Sequence, residues 1–225
     1  MPYDFLDTQL GTIARELPGA TRVLHAQRLD FCCNGQRTLA EACLRKGIDP
    51  AATVAALEQL CAVDQDEQNW NHASAEQLIQ HILTRYHECH REQLSELIRL
   101  ARRVEQVHGN NPDCPNGLTD HLSDMQQELE SHMAKEEQIL FPMLMRGEES
   151  LSRGPISVMR FEHDQHSQAL DKLYALTNEV TPPPHACNTW QALYRGLNEF
   201  CADLMDHMHL ENNILFVTQV TAKAL

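Results

Sequence analysis

The chain has 225 residues, enough to bury a substantial core, and 32 Asp+Glu against 18 Lys+Arg give it a formal charge of −14. That acidity excludes nucleic acid as the main partner, because phosphate binding needs a basic face, and it argues equally against an anionic membrane surface. No apolar run is long enough to span a bilayer, and Met1-Pro2-Tyr3-Asp4 does not open a basic-then-apolar leader, so the expected compartment is the cytoplasm. The eight cysteines show no C-x-x-C spacing and are expected to stay thiols there.

Residues 1–65 read as a small helical module. Asp4 to Leu17 is weakly amphipathic and ends at Pro18-Gly19; Thr21 to Leu29 suits a short helix. Asp30-Phe31-Cys32-Cys33-Asn34-Gly35 follows as a turn, by its Asn-Gly. Thr38 to Lys46 is helical with Gly47 as its stop, and Asp49-Pro50 opens a helix to about Val63, Asp as N-cap and Pro at the first position. The vicinal Cys32 and Cys33 are the chemically loaded feature of this module. Bonding to each other would distort the peptide, so each is free to act as a thiolate towards a metal, a partner or an oxidant, or simply to pack as a small buried residue. Core packing is the expectation for Cys43, Cys61, Cys89, Cys114, Cys187 and Cys201.

Asp64 to Ala73 is polar and reads as a linker. Residues 74–225 then read as four long helices. Ser74 and Gln77 form a capping box for the first, which runs to about Val107. His108 to Gly117 is a loop, and the second helix covers Leu118 to Met145 with Pro142 expected to kink or break its last turns. Gly147 to Gly154 is expected as a loop, with Pro155 in the first turn of helix three and Thr181-Pro182-Pro183-Pro184 at its end. Helix four starts near Asn188 and runs to about Thr218. The pattern predicts an all-α chain, an up-down-up-down four-helix bundle preceded by a small helical domain.

A repeat organises this bundle. His132-x-x-x-Glu136 is followed by Ile139-Leu140-Phe141, and His207-x-x-x-Glu211 by Ile214-Leu215-Phe216. Each copy has a histidine upstream at nearly the same distance, His87 and His163. Residues four apart share a helix face, and here it is the apolar one: Leu122, Met125, Leu129, His132, Glu136, Ile139 and Met143 in the first copy, Leu193, Leu197, Phe200, Leu204, His207, Glu211 and Ile214 in the second. Burying a carboxylate on such a stripe costs roughly several kcal/mol unless a cation offsets it. A lone core histidine is ordinarily hydrogen-bonded structure, but a structural role has no reason to duplicate both residue types in register. The reading is a dinuclear metal site with His87, His132, Glu136, His163, His207 and Glu211 as ligands. His90 and His166 also fall near the stripe; the matched spacing selects His87 and His163 instead. His209, two positions from His207, is expected to be exposed. Six nitrogen and oxygen ligands with two carboxylates able to bridge suit a pair of irons better than zinc.

The motifs His87, His132-x-x-x-Glu136, Glu162-His163 and His207-x-x-x-Glu211 resemble the duplicated pattern of hemerythrin-like domains. The stretch Asp30-Phe31-Cys32-Cys33-Asn34-Gly35-Gln36-Arg37-Thr38-Leu39 is similar to the small domain that precedes such a bundle in the iron–sulfur cluster repair di-iron proteins, the repair-of-iron-centres family. So are the stretches from Arg85 to Leu94, Lys135 to Pro142, Gly154 to Met159 and Glu211 to Asn213. Val217 departs from the pattern, which tends to have Pro there. The resemblance implies a cytoplasmic non-haem di-iron protein, a monomer or homodimer, holding two iron ions as an oxo-bridged pair with Glu136 and Glu211 as bridges. It implies a role under nitrosative or oxidative stress, restoring damaged iron–sulfur clusters by iron donation to damaged iron–sulfur proteins or cluster scaffold proteins, with NO or O2 as small ligands. Cys32 and Cys33 would serve partner contact, redox chemistry or the handling of NO or iron. A di-iron enzyme reducing NO, and a hemerythrin-like O2 or NO carrier or sensor, are the alternatives.

Overall fold

A computed structural model describes residues 4–61 and 70–217. Most of the 64–73 linker, the last two residues of the expected 50–63 helix and Thr218, the expected end of helix four, fall outside the described residues. Among those described, the fold is all-α; the one departure is an isolated antiparallel bridge between Gln9 and Thr38. The chain divides into two compact units. One takes the described residues up to Gln80 together with those from Met205 onward, and the other spans His81–Leu204.

The first unit is built on four short helices: α1 (Leu10–Glu16), α2 (Ala20–Ala26), α3 (Leu39–Lys46) and α4 (Pro50–Cys61). Their boundaries follow local chemistry. Thr38 and Glu41 close a capping box on α3, and Gly47 ends it at φ 68°, a left-handed conformation that suits glycine. Asp49 accepts from the Ala51 amide and Pro50 opens α4. Phe5, Leu10, Ile13, Leu24, Leu29, Phe31, Leu39 and Leu57 make the core.

The second unit holds the bundle. Its elements are α5 (Ala75–His81, which begins in the first unit), a π-turn (Ile82–His87), α6 (Glu88–His108), α7 (Leu118–Lys135), a second π-turn (Glu136–Leu140), α8 (Phe141–Met145), α9 (Glu149–Leu176) and α10 (Asn188–Leu210), which crosses into the first unit and runs into a third π-turn (Glu211–Leu215). Paired positions give the directions. Arg91 meets Glu130 and Ser95 meets Gln126, so α6 and α7 are antiparallel. His132 meets Glu162 and His121 meets the Ala169 carbonyl, so α7 and α9 are antiparallel. His90 packs on Phe200 and Leu97 on Gly196, so α6 and α10 are antiparallel. This is the expected up-down-up-down arrangement, and Ser74 and Gln77 form the expected capping box.

Two expectations about the helices are corrected. Helix α9 begins at Glu149, so Gly154 and Pro155 lie inside it rather than in a loop and first turn. It ends at Leu176, before the proline run. There the Thr177 hydroxyl donates to the Leu173 carbonyl and accepts from the Val180 amide, and Asn178, Glu179 and Val180 take left-handed φ of 50°, 57° and 53°. Near Pro142 the second helix is locally interrupted, as expected. This proline sits in the first turn of α8, just after the second π-turn, where a missing amide is tolerated. The third π-turn occupies the equivalent place before Val217, so the widened turn does not depend on proline.

The π-turns also move the buried face. A π-turn takes up one extra residue. In the first motif copy Ile139 is therefore 53 % exposed, while Leu140 and Leu144 are buried where the uninterrupted stripe named Ile139 and Met143.

Candidate metal centre

The π-turns place the acidic residues. Glu136 and Glu211 are each the first residue of such a turn, and His87 is the last residue of another. In the second unit, His87, His132, Glu136 and His163 are all buried. Glu136 Oε2 lies 3.4 Å from His87 Nε2, and its Oε1 lies 3.4 Å from His132 Nε2. His132 Nε2 is in turn 3.1 Å from His163 Nε2. One carboxylate thus lies between two imidazoles, with a third imidazole facing one of them.

The far side of two rings is held by carboxylates. His87 Nδ1 is 2.8 Å from Glu137 Oε1, which also accepts from Arg91 at 2.9 Å. His132 Nδ1 is 2.9 Å from Glu162 Oε2, and Glu162 is bound by Lys135. An ionised carboxylate only accepts, so Nδ1 is the donor in each ring, and Nε2 is the nitrogen turned towards Glu136. Glu162 is held down to about 2 by the His132 bond first, with Lys135 adding to it against the opposing effect of burial. Burial pushes Glu137 up, but the His87 and Arg91 bonds outweigh it and hold the carboxyl below the usual range. Glu162, Lys135 and His166 line a surface cleft on this side of the unit.

His90 and His166 are buried but make different contacts. His90 Nδ1 faces Gln93 Oε1 at 3.2 Å and its ring meets Phe200 edge-on. The His166 ring meets that of His132 edge-on, with centroids 5.0 Å apart.

In the first unit, His207 and Glu211 are fully buried, with His207 Nε2 3.4 Å from Glu211 Oε1. The two residues after Glu211 reach the cysteine loop of the same unit. Asn212 Nδ2 donates to the Cys32 carbonyl at 3.1 Å, and Asn213 Nδ2 to the Phe31 carbonyl at 3.0 Å. His209 is not exposed, contrary to expectation. The loop covers it: its ring meets Phe31 edge-on, Asn213 Nδ2 bonds its Nδ1 at 2.9 Å, and burial, with Arg15 nearby, pushes it down to about 3.

The loop is organised by Asp30. Its Oδ1 accepts from the Cys33 amide at 2.9 Å and the Asn34 amide at 3.3 Å, and its Oδ2 from Asn34 Nδ2 at 2.6 Å. Burial raises its carboxyl, but the Asn34, Cys33 and Cys32 bonds together bring it below the usual range. Cys32 is buried and Cys33 half-buried, with their sulfurs 3.6 Å apart. The Cys33 bond first, then burial, push the Cys32 thiol well up. Of the other cysteines Cys43, Cys114 and Cys201 are buried as expected, Cys89 is half-buried, and Cys61 and Cys187 are exposed instead.

Two family models match the chain. The hemerythrin HHE cation binding domain covers residues 78–218, and a domain of unknown function (DUF542) covers residues 6–61. The iron-sulfur cluster repair protein YtfE of Yersinia pseudotuberculosis serotype O:1b (strain IP 31758) is 49 % identical over 213 residues, 95 % of this chain and 96 % of that protein. The protein of the same name from Dickeya chrysanthemi (strain Ech1591) is 48 % identical over 212 residues, 94 % and 96 % of the two chains. The chain belongs to this iron–sulfur cluster repair family. Like the hemerythrin-type domain it matches, this family member carries buried histidine–glutamate groups of the kind that hold a metal ion. Among the described residues no helix is long and apolar enough to cross a membrane.

Sequence reasoning assigned no role to Glu137, Glu162, Asp30, Asn212 or Asn213. The available signal was position: Glu137 and Glu162 each adjoin a proposed ligand, and the two asparagines directly follow Glu211.

Proposed function

We propose that this chain repairs iron–sulfur clusters damaged by nitric oxide or oxidative stress, as a non-haem di-iron protein that donates iron to the damaged protein or to a cluster scaffold. In this reading His87, His132, Glu136, His163, His207 and Glu211 would hold the two irons, with Glu136 and Glu211 supplying the carboxylates able to bridge. The observation that carries it is the Glu136 carboxylate buried between His87 and His132, in a motif that recurs in register as His207 and Glu211. The hemerythrin match runs through both copies, and relatives across nearly the whole chain are named for cluster repair.

The donor set fits iron, since imidazole and carboxylate together suit it and leave positions open to other ligands. Bound there, the metal pair would supply transferable ferrous iron and open coordination positions for NO or O2. The protein's own part is positional. Glu137 and Glu162 fix the His87 and His132 rings with Nε2 towards Glu136, and the apolar stripe keeps bulk water from the donors. Residues 1–65 form the thiol-bearing domain of this reading and residues 74–225 the bundle domain. The acidic charge and the lack of a membrane-crossing helix among the described residues support a cytoplasmic setting.

The test is transfer. Iron-loaded protein is incubated with an apo iron–sulfur protein, and cluster recovery is followed against an equal amount of free ferrous iron. Faster recovery than the free-iron control is expected. Recovery no better than that control, with catalytic loss of NO in the presence of a reductant, replaces donation with an NO-reducing activity.

A further inference from the structure

Asp30, Cys32 and Cys33 set one carboxylate oxygen and two sulfurs within 4.8 Å of one another. We propose that this loop is a second metal site, mononuclear and separate from the bundle ligands, for a thiophilic divalent cation such as Fe2+ or Zn2+ bound by Asp30 Oδ1, Cys32 Sγ and Cys33 Sγ.

The spacing is that of a coordination tripod. Metal–sulfur bonds of about 2.3 Å in a tetrahedral site separate two sulfurs by about 3.8 Å, and a metal–oxygen bond of about 2.0 Å puts sulfur and oxygen about 3.5 Å apart. The Cys32 and Cys33 sulfurs are 3.6 Å apart, and Cys32 Sγ is 3.2 Å from Asp30 Oδ1. The third separation, Cys33 Sγ to the Asp30 oxygen, lies within 4.8 Å, so the set closes on one ion by a turn of the half-buried Cys33 side chain. Other groups hold the tripod in place. The Cys33 and Asn34 amides and the Asn34 side chain orient the carboxylate, as outer partners of a metal ligand do. From the other side Asn212 and Asn213 grip the main chain at Cys32 and Phe31. Glycine at position 35 lets the loop close, because a Cβ there would come within 2.7 Å of the Phe31 carbonyl oxygen.

The chemistry also balances. Two thiols and a carboxylate packed together cannot all carry charge without a cation. On binding, the ion replaces the thiol protons of Cys32 and Cys33, which leave to water, and no electron is transferred. The half-buried Cys33 is the side from which the ion enters and where a fourth ligand, water, completes the set.

Cobalt(II) tests this, because the bundle donors are nitrogen and oxygen only, so a thiolate-to-cobalt charge-transfer band reports a cysteine site and the cysteine variants locate it. The full chain is titrated with Co2+ under reducing conditions. One equivalent is expected to develop the thiolate band, released by Zn2+. Cys33→Ser abolishes the band, Asp30→Asn weakens cobalt binding by about tenfold or more, and Cys61→Ser, at an exposed thiol on the end of α4, leaves both unchanged. Glu136→Leu disrupts the bundle ligands and keeps the band, so failure of the bundle reading does not decide this one. A wild-type titration without a thiolate band, or a band that survives Cys33→Ser, overturns the proposal.

Discussion

The side-chain amide of Asn213, two positions past Glu211, donates to the main-chain carbonyl of Phe31 at 3.0 Å. Residues 182 positions apart in sequence are thereby joined, and the π-turn that carries Glu211 is fastened to the loop that carries Cys32 and Cys33. Asn213 Oδ1 fills the gap between Gly11 and Gly35, so closely that a Cβ on Gly11 would lie 2.8 Å from it. Asn213→Ala leaves the buried Phe31 carbonyl without this donor and opens a small void. A loss of about 1–3 kcal/mol is expected, read as a lower urea midpoint at unchanged slope. An unchanged midpoint would show that the fastening contributes nothing to stability.

Glu136→Leu should separate metal binding from folding. Iron per chain is expected to fall from about two to at most one, with helicity by circular dichroism retained. In the metal-free state the leucine variant should be the more stable by about 1–4 kcal/mol, because it replaces a buried charge by an apolar side chain. Full iron content in the variant rules out a bridging role for this residue.

Glu162 and Glu137 are predicted to tune metal affinity without being ligands. Glu162→Gln keeps an acceptor for His132 Nδ1 but removes the charge, and Glu137→Gln does the same at His87. Each should weaken iron binding by about 10- to 100-fold in competition with a chelator. Glu148→Gln, at an exposed pair with Arg146, provides the control and should leave affinity unchanged. Equal affinities across all three variants would leave the outer carboxylates a structural role only.

His25 gives the first unit a pH-dependent stability. Arg28 donates to His25 Nε2 at 3.2 Å, and burial first, then that guanidinium, push the imidazole down to about 4. The folded value lies below the unfolded one of about 6.5, so the unfolded chain binds more protons in between. The contribution is full above about pH 6.5 and is lost as pH falls towards 4. The ring is partly exposed, so solvent screening holds the loss between pH 7 and pH 5 to about 1 kcal/mol. His25→Asn should flatten that part of the urea-midpoint profile. Identical profiles for wild type and variant would contradict it.

Legible from sequence were the order of the bundle helices, the caps at Thr38, Gly47 and Ser74 and the repeat of His-x-x-x-Glu, because capping and i,i+4 geometry are local. The sequence also marked Cys32 and Cys33 as chemically special. The tertiary structure decided what faces those residues. The carboxylates behind His87 and His132 come from Glu137, 50 positions away, and Glu162, 30 positions away. His209 is buried because Phe31 covers it, although its place on the helix alone points it away from the apolar stripe. The exposure of Ile139 and burial of Leu140 follow from a π-turn, whose extra residue shifts the face by one position. Helical periodicity cannot reveal such a shift, since the same Glu-x-x-Ile-Leu-Phe reads equally well in either register until packing selects one.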